Sequence, residues 1–341
     1  MILKKIILIS SILGIWAIVN SCTNKSKCDD LLTEDGNYFI TKDSTPYTGS
    51  CETSVYGIKK IKNFKDGMLS GQLESYAPNG ELLSSTSYRE GKRNGWNIIY
   101  YPNGNKEKEG KYIDDKKNGL FRTWFNSGNI KSEGRFVDGE RHGTHTDWYP
   151  NLQKKREINY LEGVKHGEWV VWYESGKTKL KGEYKDGKRE GKWLTWYENG
   201  GIKEEQKYEN GLQEGEWIKR FEKGQIAEKG DYKSGMKDGD WEDWYESGHI
   251  KSKYQYDKNE YSGKFETWFE NGHTSEKGVF LNDQKEGVCT TFYQTGEKKI
   301  VSSYKKGNLN GRLLEWDLNG EMKTKVFKNG KEQKISLDPV F

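Results

Sequence analysis

The sequence predicts an all-β fold: a repeat array of antiparallel β-hairpins forming an elongated, twisted, single-layer meander. Three residue series on one 24-residue clock predict it. Glycine stands at 71, 95, 119, 143, 167, 191, 215, 239, 263, 287 and 311 without a slip. A second glycine series runs through Gly80, Gly104, Gly128, Gly176, Gly200, Gly224, Gly248, Gly272, Gly296 and Gly320, broken only at Leu152. An aromatic series runs through Tyr88, Tyr112, Phe136, Tyr160, Tyr184, Tyr208, Tyr232, Tyr256, Phe280 and Tyr304. A fixed period in this range marks a repeat architecture, in which each unit buries its apolar side against its neighbours.

Composition bounds the core. Hydrophobic residues make up 32% of the chain and charged residues another 32%, values that alone suggest disorder. The 13% aromatic content, held in register with the glycines, argues instead for an ordered structure with little dry interior. The net charge is +4 and Lys alternates with Glu throughout. That pattern describes a solvated surface. It supplies no concentrated basic face for nucleic acid.

Residues 1–21 read as a signal peptide. Lys4 and Lys5 precede an apolar run, Ile6 to Val19, that is too short to span a bilayer comfortably as a helix. The run ends in Val19-Asn20-Ser21-Cys22, which resembles a bacterial lipobox. The resemblance implies lipidation of Cys22 as the first mature residue, a membrane anchor, and residence in the cell envelope, at the outer membrane if the cell has one. Several acyl chains hold a protein firmly, at roughly 0.8 kcal/mol per buried CH₂.

Residues 22–46 form a tether and N-terminal cap. Cys28 and Cys51 flank the start of the array, and outside the cytoplasm such a pair suggests a disulfide. Cys289 takes a place held by Trp or Phe in other repeats and is expected to be a buried free thiol.

The repeats occupy 47–331. In one unit, Lys192 to Glu198 reads as a strand, Asn199-Gly200 as a two-residue hairpin turn, and Gly201 to Tyr208 as the return strand. Lys185 to Gly191 reads as the other, glycine-rich turn. Asp115, Asn259 and Asp283 replace glycine in that turn, where Asn and Asp best tolerate left-handed backbone. Mirroring the strands about Asn199-Gly200 sets Tyr208 opposite Gly191 and, in other repeats, Trp169 over Gly182 and Trp217 over Gly230. This aromatic ladder is expected to be the more buried face. On the other face the same mirror sets Trp196 against Lys203, Trp172 against Lys179 and Trp244 against Lys251, as cross-strand cation–π pairs. Where tryptophan becomes Arg220, the partner becomes Ala227. Pro150-Asn151-Leu152 is expected to give a different or longer tip. Phe327 and Gly330 stand one residue out of frame, and 332–341 drop the pattern, as a C-terminal cap or tail would. About 22 strands at roughly 4.8 Å each would extend on the order of 100 Å, coiled by strand twist.

Tyr184 to Trp193 and Trp196 to Gly200 carry the pattern Y-x-x-G-x-x-x-G-x-W-x-x-W-Y-x-x-G. It resembles the bacterial variant of the MORN repeat, as found in the YwqK-like antitoxin family. The resemblance implies the hairpin fold. Its family name implies neutralisation of a toxin, and eukaryotic relatives imply scaffolding.

No nucleophile elbow, zinc-protease helix, P-loop or dinucleotide fingerprint appears in the sequence. His142 and His166 share a repeat position, as do His249 and His273, but equivalent positions lie about 10 Å apart, too far to share a metal ion. The reading is therefore a non-catalytic envelope lipoprotein without cofactor or metal. Its repeats form a scaffold for a protein partner, engaged by Trp172, Trp196, Trp244 and Trp268 with Lys179, Lys203 and Lys251. Toxin neutralisation and envelope glycan binding are the alternatives. Self-association through open edge strands is a further expectation.

Overall fold

The computed structural model describes residues 26–34 and 38–334. The expected signal peptide, the expected lipidation site Cys22 and the C-terminal residues 335–341 lie outside them. The chain forms two units, residues 1–152 with 161–163, and residues 153–160 with 164–341. In each, consecutive strands pair antiparallel, and the structure is almost wholly β. Among the described residues no helix is long and apolar enough to cross a membrane.

Two different turns alternate. The first is a two-residue turn closed by Lys185 and Lys188, with Asp186 at φ 49° and Gly187 at φ 79°. Two successive positive φ values define a type I′ turn, whose twist suits a hairpin. Asp115, Asn259 and Asp283 hold φ of 66°, 73° and 62°, as their side chains allow.

The second turn differs from the two-residue Asn-Gly loop expected. The Tyr197 N–H donates to the Gly201 carbonyl at 2.9 Å and the Gly200 N–H to the Tyr197 carbonyl at 3.0 Å. Only Gly200 is left-handed, at φ 96°. This is a three-residue loop, Glu198-Asn199-Gly200, needing one left-handed residue instead of two. Trp196 consequently pairs with Ile202, and Lys203 is extruded as a bulge. The bulge restores the frame, so Trp193 still pairs with Gln206 and Gly191 with Tyr208.

The bulge also explains the slip at the end of the chain. In the last hairpin Trp316 pairs with Met322 and pairing runs unbroken to Gly311 with Phe327. That copy has no bulged residue, so everything after it arrives one position early. The tip at Pro150 is not longer. Leu152 donates its N–H to the Tyr149 carbonyl at 3.0 Å, as in the other copies, and takes the left-handed position itself at φ 68°. A Cβ there costs roughly 1–2 kcal/mol.

The first unit is capped at its N-terminal side. Ser26–Lys27 adds a parallel strand against Cys51 and Glu52, and a disulfide joins Cys28 to Cys51 with Cα atoms 5.0 Å apart. Cys28, Cys51 and Phe64 form a small core under Leu31, Phe39, Tyr47 and Leu69. The added strand thus covers this edge at Cys51 and Glu52, within the N-terminal cap expected from the sequence. The last strand, Lys331–Gln333, is exposed.

Candidate interaction surfaces

The two faces of each sheet have different chemistry. One is an aromatic ladder. In the second unit Trp193 is 2% exposed, packed edge-on against Trp169, Tyr184 and Tyr208 at 5.2–5.9 Å between ring centroids. Trp217 and Trp241 stack at 5.4 Å. In the first unit Phe121, Phe136 and His145 continue the same logic. The sequence reading set Trp169 over Gly182. Trp169 does pair with Gly182, but the ring lying on that glycine is Trp193, from the next strand. Gly230 is likewise covered by Trp241. Cations roof the ladder: Arg189 lies 4.5 Å from the Trp193 ring, Lys237 lies 3.7 Å from Trp241, and Lys165 lies 4.8 Å from Trp169. Their stems cover rings while their charges stay near water. The free Cys289 is buried against Gly278, and burial pushes its thiol pKa up. His145, which sequence reasoning did not single out, stands in the ladder where other repeats carry tryptophan. Burial pushes its pKa down, which keeps it neutral at physiological pH.

The opposite face holds the tryptophans proposed as partner contacts. Trp172, Trp196, Trp244 and Trp268 are half-buried against their own sheet. In these copies the bulge displaces the lysine from its expected place opposite the tryptophan, which Thr178, Ile202 and Ile250 take. Lys179, Lys203 and Lys251 lie over the next ring instead, Tyr173 at 5.2 Å, Tyr197 at 5.5 Å and Tyr245 at 5.7 Å. Arg220 has its own partner, the Glu205 carboxylate at 3.4 Å.

Those tyrosines tie repeat to repeat. Tyr173 donates its hydroxyl to the Trp196 carbonyl at 2.7 Å, and Tyr197 to the Arg220 carbonyl at 2.7 Å. Burial, then the carboxylates of Glu222 and Glu246, raise the Tyr197 phenol pKa, so it remains a donor. At the loop tips Asn199 Nδ2 donates to the Glu222 carbonyl at 3.0 Å. His249 and His273 sit 2.6 Å from the carbonyls of Glu270 and Gln294. These histidines staple adjacent tips. Tyr197→Phe is expected to destabilise the array by about 0.5–1.5 kcal/mol. Urea unfolding should show a lower midpoint with an unchanged slope, a modest loss, since Phe125, Phe221 and Phe269 occupy the same position elsewhere.

On the tryptophan side of the second unit a groove of about 560 Å³ crosses five successive strands. Asp240, Glu242, Lys253, Lys264 and Glu266 line it, with Val279 and Val288 apolar at one end. Lys253 and Glu242 pair across it at 2.6 Å, and Val288 is 60% exposed. Among the described residues, no three or more His, Cys, Asp or Glu side chains are grouped to hold a metal ion. The surface sets charged side chains, two of them paired, around apolar spots.

Five segments, residues 117–138, 165–186, 189–210, 213–234 and 237–258, match the model of the MORN repeat variant. Those five segments are similar to MORN-type repeats. No curated protein matches it. Among solved structures it is similar to the crystal structure of TcdB2-TccC3-Cdc42, at 9% identity and TM-score 0.16, covering 87% of this chain and 21% of that one. It is also similar to the Photorhabdus luminescens Tc holotoxin pore, at 11% identity and TM-score 0.17, covering 81% and 18%. The chain thus spans about a fifth of those chains, and likeness at these scores bears on neither its fold nor its function.

Proposed function

We propose that this protein is a non-catalytic, lipid-anchored envelope protein whose MORN-type repeats serve as a protein-binding scaffold. The leader and lipobox-like Val19 to Cys22 support the anchor. The observation that carries the binding reading is the groove on the tryptophan face of the second unit. There Val279 and Val288 stand exposed beside the Lys253–Glu242 ion pair, so a partner gains apolar contact next to two charges that already satisfy each other. Trp244 and Trp268 lie on the same face, and their role is to stiffen the groove floor more than to reach the partner.

The test uses the full chain as bait in the cell that makes it. The wild-type chain should retain a protein partner. Val288→Asp alters an exposed residue and should leave the unfolding midpoint unchanged while lowering retention at least about tenfold, the equivalent of ~1.4 kcal/mol. Unchanged retention would remove the groove as the contact surface. Retention of glycan without protein would replace the proposal with the glycan reading.

A further inference from the structure

The first unit carries a second surface, distinct from the groove. Strand pairing gathers it onto one face. Trp96 lies opposite Lys111, Ile113 opposite Lys116, and Leu120 opposite Arg135, with Val137 two residues beyond Arg135. Glu109 pairs with both Ile98 and Arg122, which places these strands' side chains on the same side of the sheet. Trp96, Ile113, Leu120 and Val137 are 44%, 49%, 37% and 46% exposed. Most other repeats place charge at the positions of Ile113 and Val137, as in Lys65, Arg89 and Lys185. Three successive copies, Ile113, Val137 and Leu161, are apolar instead, as is Leu281.

The cations beside these residues are of two kinds. Arg122 pairs with Glu133 at 2.6 Å on the same face, and Lys106 pairs with Glu109. Lys111, Lys116 and Arg135 have no acid within ion-pair distance among the described residues, and Lys111 lies 4.7 Å over the Trp96 ring. The patch is therefore apolar and cationic, with Lys111, Lys116 and Arg135 outside any ion pair among the described residues.

We propose that this patch docks a protein partner through a segment that mixes apolar side chains with carboxylates. The inference rests on the protein-binding reading above and adds a surface and a partner chemistry to it. The apolar residues supply contact area that water now covers, and Lys111, Lys116 and Arg135 select for acidic groups between them. An anionic bilayer would offer a similar mixture. The turn residues Asp114, Asp115 and Asp138 argue against it. They follow Ile113 and Val137 at the sheet edge, Asp114 and Asp115 in ion pairs with Arg89 and Arg93, so the turns bring no surplus positive charge to a headgroup. Asp115 is held ionised by the Arg93 guanidinium at 2.8 Å, which lowers its pKa.

The test places a photo-reactive phenylalanine derivative at Leu120 of the full chain, in the producing cell, and identifies crosslinked segments by mass spectrometry. The expected adduct is one protein segment containing apolar residues and Asp or Glu. The double variant Lys111→Glu with Arg135→Glu should lower its yield at least about tenfold, because like charges facing each other cost more than the ~1.4 kcal/mol of one decade. Changing the segment's carboxylates to lysine should then restore the yield. The proposal is overturned by a segment without carboxylates, by a yield indifferent to charge reversal, or by adducts to lipid alone. A second derivative at Lys264, beside the groove, separates the two readings. Protein adducts at Lys264 but none at Leu120 would remove this surface and leave the scaffold standing. None at either position would remove both.

Discussion

Trp193→Ala is expected to cost about 3–5 kcal/mol, the range for removing a buried tryptophan. Trp193 is 2% exposed, meets three other rings, and lies on the Gly182 backbone with Arg189 above it. Truncation opens the ladder at its best-packed point. In a linear array each repeat is supported by its neighbours, so the loss should divide one unfolding transition into two. Trp193→Phe should recover most of the stability, because the indole Nε1 has no hydrogen-bond partner to lose. Trp196→Ala, on the opposite face and half-buried, should cost about 1–2 kcal/mol, nearer the ordinary range for a point substitution. Urea denaturation followed by circular dichroism distinguishes these variants. Equal losses for Trp193→Ala and Trp196→Ala would mean that the buried face has been misassigned.

Gly182→Ala is expected to cost about 2–3 kcal/mol, within the range for overpacking a filled site. Its backbone is not left-handed, so alanine meets no torsional strain there, but a Cβ would fall inside the Trp193 indole. Gly191 presents the reverse case. It has open space around its missing Cβ and a φ of 66°, at the bulge where register shifts between Lys181 and Glu183. Gly191→Ala should cost about 1 kcal/mol, and Gly191→Asn less, since asparagine tolerates left-handed backbone. A shorter residue at 193 should partly rescue Gly182→Ala and do nothing for Gly191→Ala. If Asn rescued Gly182 instead, ring and backbone would have exchanged roles.

The contrast between these two glycines shows what a sequence of this kind reveals. The 24-residue period, the hairpin meander and the aromatic ladder were legible because each repeat restates the same constraints. The marker glycines were legible as positions but not as causes: all eleven, Gly71 to Gly311, have φ between 66° and 116°, a property of the bulge that no side chain announces. Two turn types alternate, and Asn199-Gly200 fits either a two-residue or a three-residue loop on residue preference alone. That ambiguity moved Lys203 by one place and put its ammonium over Tyr197 instead of Trp196. The interaction surfaces were least legible. Exposure at Val288 or Leu120 depends on what lies across three or more strands, and a tryptophan in the repeat signature looks the same in sequence whether half-covered or free.

The central claim is that the repeats form a scaffold that holds another protein on its sheet surface. Its most direct test is photo-crosslinking in the producing cell with the reactive residue at Val288, in the full chain. The account predicts discrete protein adducts from this exposed position, and their loss when Lys253→Glu breaks the ion pair with Glu242 and reverses the groove's charge. Carbohydrate adducts alone, or protein adducts as abundant in the Lys253→Glu chain, would contradict it.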